Sequence, residues 1–215
     1  MKILRKKILA FYNTCQKDDG HGTHVSSITS LIGEDLILGL LEHYWENVHQ
    51  ARMEILKYIC TTGKKKGPHL DAWVLKVQKE EKQLFQVEIK NWGANAIGGT
   101  VIPEGALNET ILPEAKNTFE KYLKDPKVTK VFETMKKPRN APVESDPLPL
   151  IAVWSPVSNS DQLSPYFVVS KYSNRQPFHV FSASLYLRSL SSEYVDIKSE
   201  RVDKRMERLT QMIEM

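Results

Sequence analysis

The chain has 215 residues, 41% of them hydrophobic and 26% charged, enough apolar material to core one domain and too much for an extended disordered chain. No apolar run approaches the roughly 18 residues of a membrane span, and Cys15 and Cys60 are too few for a disulfide framework or a cysteine-rich metal site. A soluble protein of the reducing cytoplasm with no membrane partner is therefore expected; the net charge of +4 is compatible with a polyanionic partner without requiring one.

Residues 2 to 13 predict a short amphipathic helix that exposes Lys2, Arg5, Lys6 and Lys7, with no sustained signal-peptide core. The next segment, DDGHGTHVSS at 18 to 27, reads as a loop. Its His21-Gly22-Thr23-His24-Val25 resembles the histidine motif of the subtilisin-like serine proteases. That chemistry also needs an aspartate closing an upstream strand and a serine nucleophile motif downstream. Only twenty residues precede His21 and no Gly-Thr-Ser segment follows, so His24 is not assigned as a general base. Two histidines alone make a weak metal site.

From Ser30, a candidate N-cap, the sequence turns helical. On a helical wheel Leu36, Ile37, Leu40, Leu41, Tyr44, Trp45 and Val48 share one broad arc. Glu34 falls inside that arc, whereas Asp35, Glu42 and Glu46 fall outside it. A carboxylate on a buried face is costly unless paired or metal-bound, which singles out Glu34; its place one turn from the helix start allows a dipole role instead. Residues 51 to 61 fit neither helical nor strand periodicity cleanly. Lys64, Lys65 and Lys66 follow, a solvated triplet or a phosphate contact.

Two strands are predicted next. Leu70 to Val77 alternates, Lys79 to Lys82 is a polar break, and Leu84 to Ile89 is apolar again. Asp71 opens the first strand, and Glu88 and Lys90 flank Ile89 in the second. Alternation puts Glu88 and Lys90 on one face and Ile89 on the other. A glycine-rich loop follows Trp92, then a helix over Pro113 to Lys124 that ends near Asp125-Pro126 and a second over Val128 to Lys137, the latter region rich in lysine. Pro138, Pro142, Pro147 and Pro149 mark a turn-rich connector. Leu150 to Val153 is a buried strand that returns the chain to the sheet. Tyr166 to Ser170 and Phe178 to Leu187 are further apolar segments, the second read as a strand. From about Asp196 an amphipathic helix is expected, with Ile197, Val202, Met206, Leu209 and Ile213 on one side.

An aspartate on one strand and Glu-x-Lys on the next suit metal-assisted phosphodiester hydrolysis: the carboxylates offer hard oxygen ligands to Mg²⁺, and the ammonium orients water or holds phosphate. An ordinary cross-strand ion pair on a surface hairpin is the reading these residues otherwise allow. With Asp71 and Glu88-Ile89-Lys90-Asn91-Trp92, the stretch resembles the PD-(D/E)XK nuclease superfamily, which includes restriction endonucleases and archaeal Holliday-junction resolvases. The likeness covers roughly residues 30 to 92. It departs from the pattern in that Leu70, not proline, precedes Asp71, with Pro68 standing three residues before it.

The resemblance implies an α/β, restriction endonuclease-like fold over 1 to 215: a central mixed β-sheet flanked by helices, with its core at about 28 to 92 and 146 to 215 and a helical insertion at about 94 to 146. It implies a nuclease of restriction or repair type, more an endonuclease than an exonuclease, with 5′-phosphate products and Mg²⁺ or Mn²⁺ as cofactor. Asp71 and Glu88 would ligate the ion, with Glu34 completing the shell and Glu42 in reserve. Lys90 would orient water and offset charge on the phosphate. Lys64, Lys65 and Lys66 would contact nucleic acid, DNA foremost, and a homodimer would supply the two centres that duplex cleavage needs. The alternative is a non-catalytic nucleic-acid- or protein-binding module of the same fold.

Overall fold

The computed structural model describes residues 2–14, 22–61, 69–90, 96–97, 100–101, 111–142, 146–157, 164–170 and 177–200, together with 203, 204, 207, 210 and 211. Strand β1 (Lys2–Leu4) and helix α1 (Arg5–Thr14) precede the long helix α2 (Gly22–His49). Three strands follow, β2 (Arg52–Thr61), β3 (His69–Gln78) and β4 (Glu81–Lys90), then the small antiparallel pair β5 (Ala96–Ile97) and β6 (Thr100–Val101). Helices α3 (Ile111–Leu123) and α4 (Pro126–Thr134) lead to β7 (Leu148–Val153), β8 (Tyr166–Val169), β9 (Phe178–Ser182), α5 (Ala183–Ser189) and β10 (Tyr194–Asp196).

The protein is α/β, with a mixed six-stranded sheet in the order β2-β3-β4-β7-β9-β8. Strands β2, β3 and β4 form an antiparallel meander, β7 runs parallel to β4 and to β9, and β8 closes the edge antiparallel to β9. A parallel pair needs a crossover between its strands. Between β4 and β7 that crossover contains α3 and α4, which supply part of the fold's second helical layer. Phe119, Leu123 and Val128 of these helices join Ile151, Val153 and Val180 of the sheet in one core cluster. On the opposite face Leu36, Leu41 and Trp45 of α2 bury Val74, Phe85, Val87 and Ile89. The ambiguous 51–61 segment is β2, with a register shift between Ile55 and Lys57 that breaks the strand period.

Several sequence expectations are corrected. Helix α2 starts at Gly22, not at Ser30, so the segment read as a loop is helical from its fifth residue; Val25, Ile28 and Ile32 supply the three- and four-residue spacing that extends the helix backwards. The wheel also misplaces its acids. Glu34 is exposed, Asp35 is only 3% exposed, and Val48, assigned to the buried arc, is 56% exposed. From Asp35 to Leu41 every residue is buried, because this part of α2 lies between the sheet on one side and the C-terminal segment on the other. A helix covered on several sides has no single apolar arc to read. At its end Gln50 takes a positive φ of 52°, and the Ala51 N–H returns to the Trp45 carbonyl at 3.0 Å.

Residues 2–4 form a strand rather than the start of a helix, because they pair antiparallel with β10. Ser182 ends β9 and caps α5 by accepting from the Leu185 N–H at 3.4 Å, so the expected strand over 178–187 is a strand followed by a helix. The C-terminal residues described from 203 onward are helical; Val202, Met206, Leu209 and Ile213 lie outside the described residues. Among the described residues no helix is long and apolar enough to cross a membrane.

Gly39 marks where the C-terminal segment seats on α2. A Cβ there would overlap the Cγ2 methyl of Ile197, itself fully buried and β-branched and so unable to swing aside. Alanine in a helix interior ordinarily gains about 1 kcal/mol over glycine. Here the overlap reverses the sign, and Gly39→Ala is expected to cost about 1–3 kcal/mol in denaturant unfolding. A stabilised variant would show that the Ile197 contact yields easily.

Candidate active site

The β3–β4 hairpin positions the three residues singled out by sequence. It turns at Lys79-Glu80, with Lys79 at a φ of 54°, and its register runs from Gln78↔Glu81 to Ala72↔Val87. Alternation along β4 then divides its side chains as expected. Phe85, Val87 and Ile89 enter the core beneath α2, whereas Glu88 and Lys90 line a cleft closed by Tyr122, Asp125, Lys127 and Val128 of the α3–α4 corner. The cleft encloses about 230 Å³.

Asp71 lies one residue beyond Ala72, the last residue of β3 paired with β4. Its Oδ2 accepts the Ile89 N–H at 2.6 Å, so a carboxylate oxygen takes the place of a backbone partner where the ladder ends. This bond carries Asp71 to the part of β4 that bears Glu88. Glu88 is only 5% exposed. Its Oε1 accepts from the Lys90 ammonium, and its Oε2 is shut from solvent with no hydrogen-bond partner among the described residues. An unpaired carboxylate oxygen in such surroundings is energetically expensive, the condition that a cation relieves.

The electrostatics agree with the geometry. Burial first, and the Glu88 charge second, raise the Asp71 carboxyl to about 6, against the opposing pull of the Ile89 N–H, Lys90 and His69. Burial, followed by the charges of Glu88, Asp125 and Asp71, pushes the Tyr122 phenol far above its ordinary range, so it stays protonated and able to donate. Tyr122 sits at the end of α3, where its carbonyl accepts the Asp125 N–H at 3.0 Å. Asp125 in turn caps α4 by accepting the Lys127 N–H at 2.9 Å.

Sequence reasoning left Tyr122, Asp125 and Lys127 without a role at the site. The Asp125-Pro126 helix break was visible, but nothing local says which sheet face the corner covers. The other expected site residues are not gathered here. Glu34 and Glu42 belong to α2, the helix that covers the face occupied by Ile89. Glu34 is exposed, and Glu42 lines a separate cavity with Asp35, Tyr58 and Glu200. Burial and then Glu46 raise Glu42 to about 7, with Lys198 opposing. Lys64, Lys65 and Lys66 lie outside the described residues, as do His21, Asn91 and Trp92.

The donor set suits a hard divalent cation with a partly hydrated shell. Among the described residues no three His, Cys, Asp or Glu side chains converge as a metal cluster; the carboxylates that could hold an ion here are those of Asp71 and Glu88. Mg²⁺ characteristically binds through one or two carboxylates and fills its shell with water and substrate phosphate. Compared with known proteins, the chain matches no family model, no curated protein and no solved structure.

Proposed function

We propose that the protein is a divalent-metal-dependent nuclease with a restriction endonuclease-like core, hydrolysing phosphodiester bonds of nucleic acid, DNA foremost. The observation that carries this reading is the buried Glu88, held by Lys90 through one oxygen, unpartnered at the other, and set beside an Asp71 whose proton is retained to about pH 6. A purely structural ion pair would not require a second carboxylate in the same desolvated place.

Asp71 and Glu88 would hold the ion, Mg²⁺ with Mn²⁺ as a substitute; it would polarise a phosphoryl oxygen and lower the pKa of bound water. Lys90, on the cleft side of β4, offsets the negative charge that builds on the phosphate as water attacks in line with the leaving oxygen. Its bond to Glu88 keeps the ammonium oriented, so no reorganisation is needed during reaction. Tyr122 lines the same cleft, where its protonated phenol would serve as a hydrogen-bond donor to a phosphate oxygen. The mixed sheet with helices on both faces, in which a helix precedes the three-stranded meander, supports the fold part of the reading.

The second reading, a binding module of the same fold, draws on the Glu88–Lys90 bond, which ties two side chains together without any ion. Labelled single-stranded, duplex and branched DNA, with RNA alongside, separates the two when incubated in Mg²⁺, Mn²⁺ or EDTA. The expected result is metal-dependent cutting that disappears in Glu88→Gln. Binding without cutting in either metal would leave the module.

A further inference from the structure

A basic segment runs through the α3–α4 corner and just past it. Residues 120–139 contain seven Lys and Arg against three Asp and Glu, a local net charge of +4 that equals the net charge of the whole chain. The remaining 195 residues therefore balance. Within this segment Lys121, Lys124, Lys127 and Lys130 recur every third residue through the end of α3, the turn and the first turns of α4, and all four are exposed. Three-residue spacing places Lys127 and Lys130 on adjoining positions of one face of α4. Lys127 also borders the cleft that holds Glu88 and Lys90.

A second basic run, Lys2, Arg5, Lys6 and Lys7, has no acid among residues 2–7, but none of it lines the cleft that holds Glu88 and Lys90, whereas Lys127 does. We infer that the α3–α4 corner is the docking surface for a nucleic-acid strand, whose phosphates contact Lys121, Lys124, Lys127 and Lys130 and whose scissile phosphate enters the cleft beside Lys90. The inference rests on the reading of Asp71, Glu88 and Lys90 as a phosphodiester site, which is what selects nucleic acid over an acidic protein as the polyanion. Contacts to phosphate carry no base information, so this surface fixes the position of the strand and not the sequence that is cut.

The test is salt-dependent binding of fluorescent single-stranded and duplex oligonucleotides in EDTA, where no cleavage intervenes. Each lost phosphate contact lowers the slope of log affinity against log salt by about 0.7 for single strands and about 0.9 for duplex. Changing Lys121, Lys124, Lys127 and Lys130 together to glutamine is expected to lower the slope by about 2.8 for single strands and about 3.6 for duplex. A charge-matched control with Lys6, Lys7, Lys79 and Lys82 changed to glutamine should keep the parent slope. Equal slopes in the two quadruple variants, no oligonucleotide binding by the parent, or equally tight binding of polyglutamate would each overturn the proposal. Titration of Mn²⁺ into the same proteins keeps the two readings apart. If the slope falls but no ion binds, the docking surface stands and the metal centre falls; if the ion binds and the slope is unchanged, the reverse holds.

Discussion

Asp71→Asn is expected to make the protein more stable above neutral pH while abolishing its response to divalent ions. Burial and the charge of Glu88 lift this carboxyl from its ordinary 3.8 to about 6. Between those values the folded chain keeps a proton that the unfolded chain has shed, so stability falls as pH rises through the window. Above it the ionised pair weakens the fold by up to about 3 kcal/mol. Asparagine has no charge to desolvate, and its Oδ1 can still accept the Ile89 N–H. A gain of about 1–3 kcal/mol is therefore expected in urea unfolding near pH 8, shrinking toward zero below about pH 4.

In the parent, Mg²⁺ should stabilise the fold by an amount that grows with its concentration relative to its Kd, raising the unfolding midpoint; in Asp71→Asn it should not. His179 complicates the raw pH profile with the opposite sign. Burial, with Lys76 second, lowers it to about 4, so its contribution weakens as pH falls below 6.5. It is common to both proteins, and the parent-minus-variant difference isolates Asp71. A variant no more stable than its parent near pH 8 would mean that Asp71 and Glu88 do not burden each other, and the main argument for an ion between them would fail.

Lys90→Met separates the two duties of the lysine. Methionine keeps most of the apolar stem and removes the charge. If the ammonium offsets charge on the phosphate, cleavage should fall about 10²–10³-fold, the loss typical of one donor aimed at a developing anion. The fold should lose about 3 kcal/mol as well, because Glu88 is left charged, buried and without its partner. Adding Glu88→Gln to Lys90→Met should return most of the stability by removing that stranded charge, and it should return none of the activity. A single variant that is destabilised yet cuts at the parent rate, at a temperature where it remains folded, would make Lys90 a structural partner only.

What could be read from local sequence is what depends on local periodicity. The β3–β4 hairpin was legible to within three residues at each strand end, because alternation and a polar break are properties of neighbouring positions; the break itself is shorter than read, since Glu81 and Lys82 already belong to β4. For the same reason the division of β4, with Ile89 inward and Glu88 and Lys90 on the opposite face, followed from parity alone. The strand at 150–153 and the helix break at Asp125-Pro126 were equally visible. None of these signals says what lies against a face. The exchange of Glu34 for Asp35 as the buried acid, the placement of Tyr122 and Lys127 over the cleft, and the pairing of residues 2–4 with 194–196 all arise from contacts between distant segments. Burial of a helix position depends on how many layers surround it. A strand of three residues has too little pattern to announce a partner almost two hundred residues away. The two carboxylates and the lysine could thus be named from spacing, but the wall that faces them, and the raised Asp71 proton that follows from enclosure, exist only once the crossover between β4 and β7 closes the second face of the sheet.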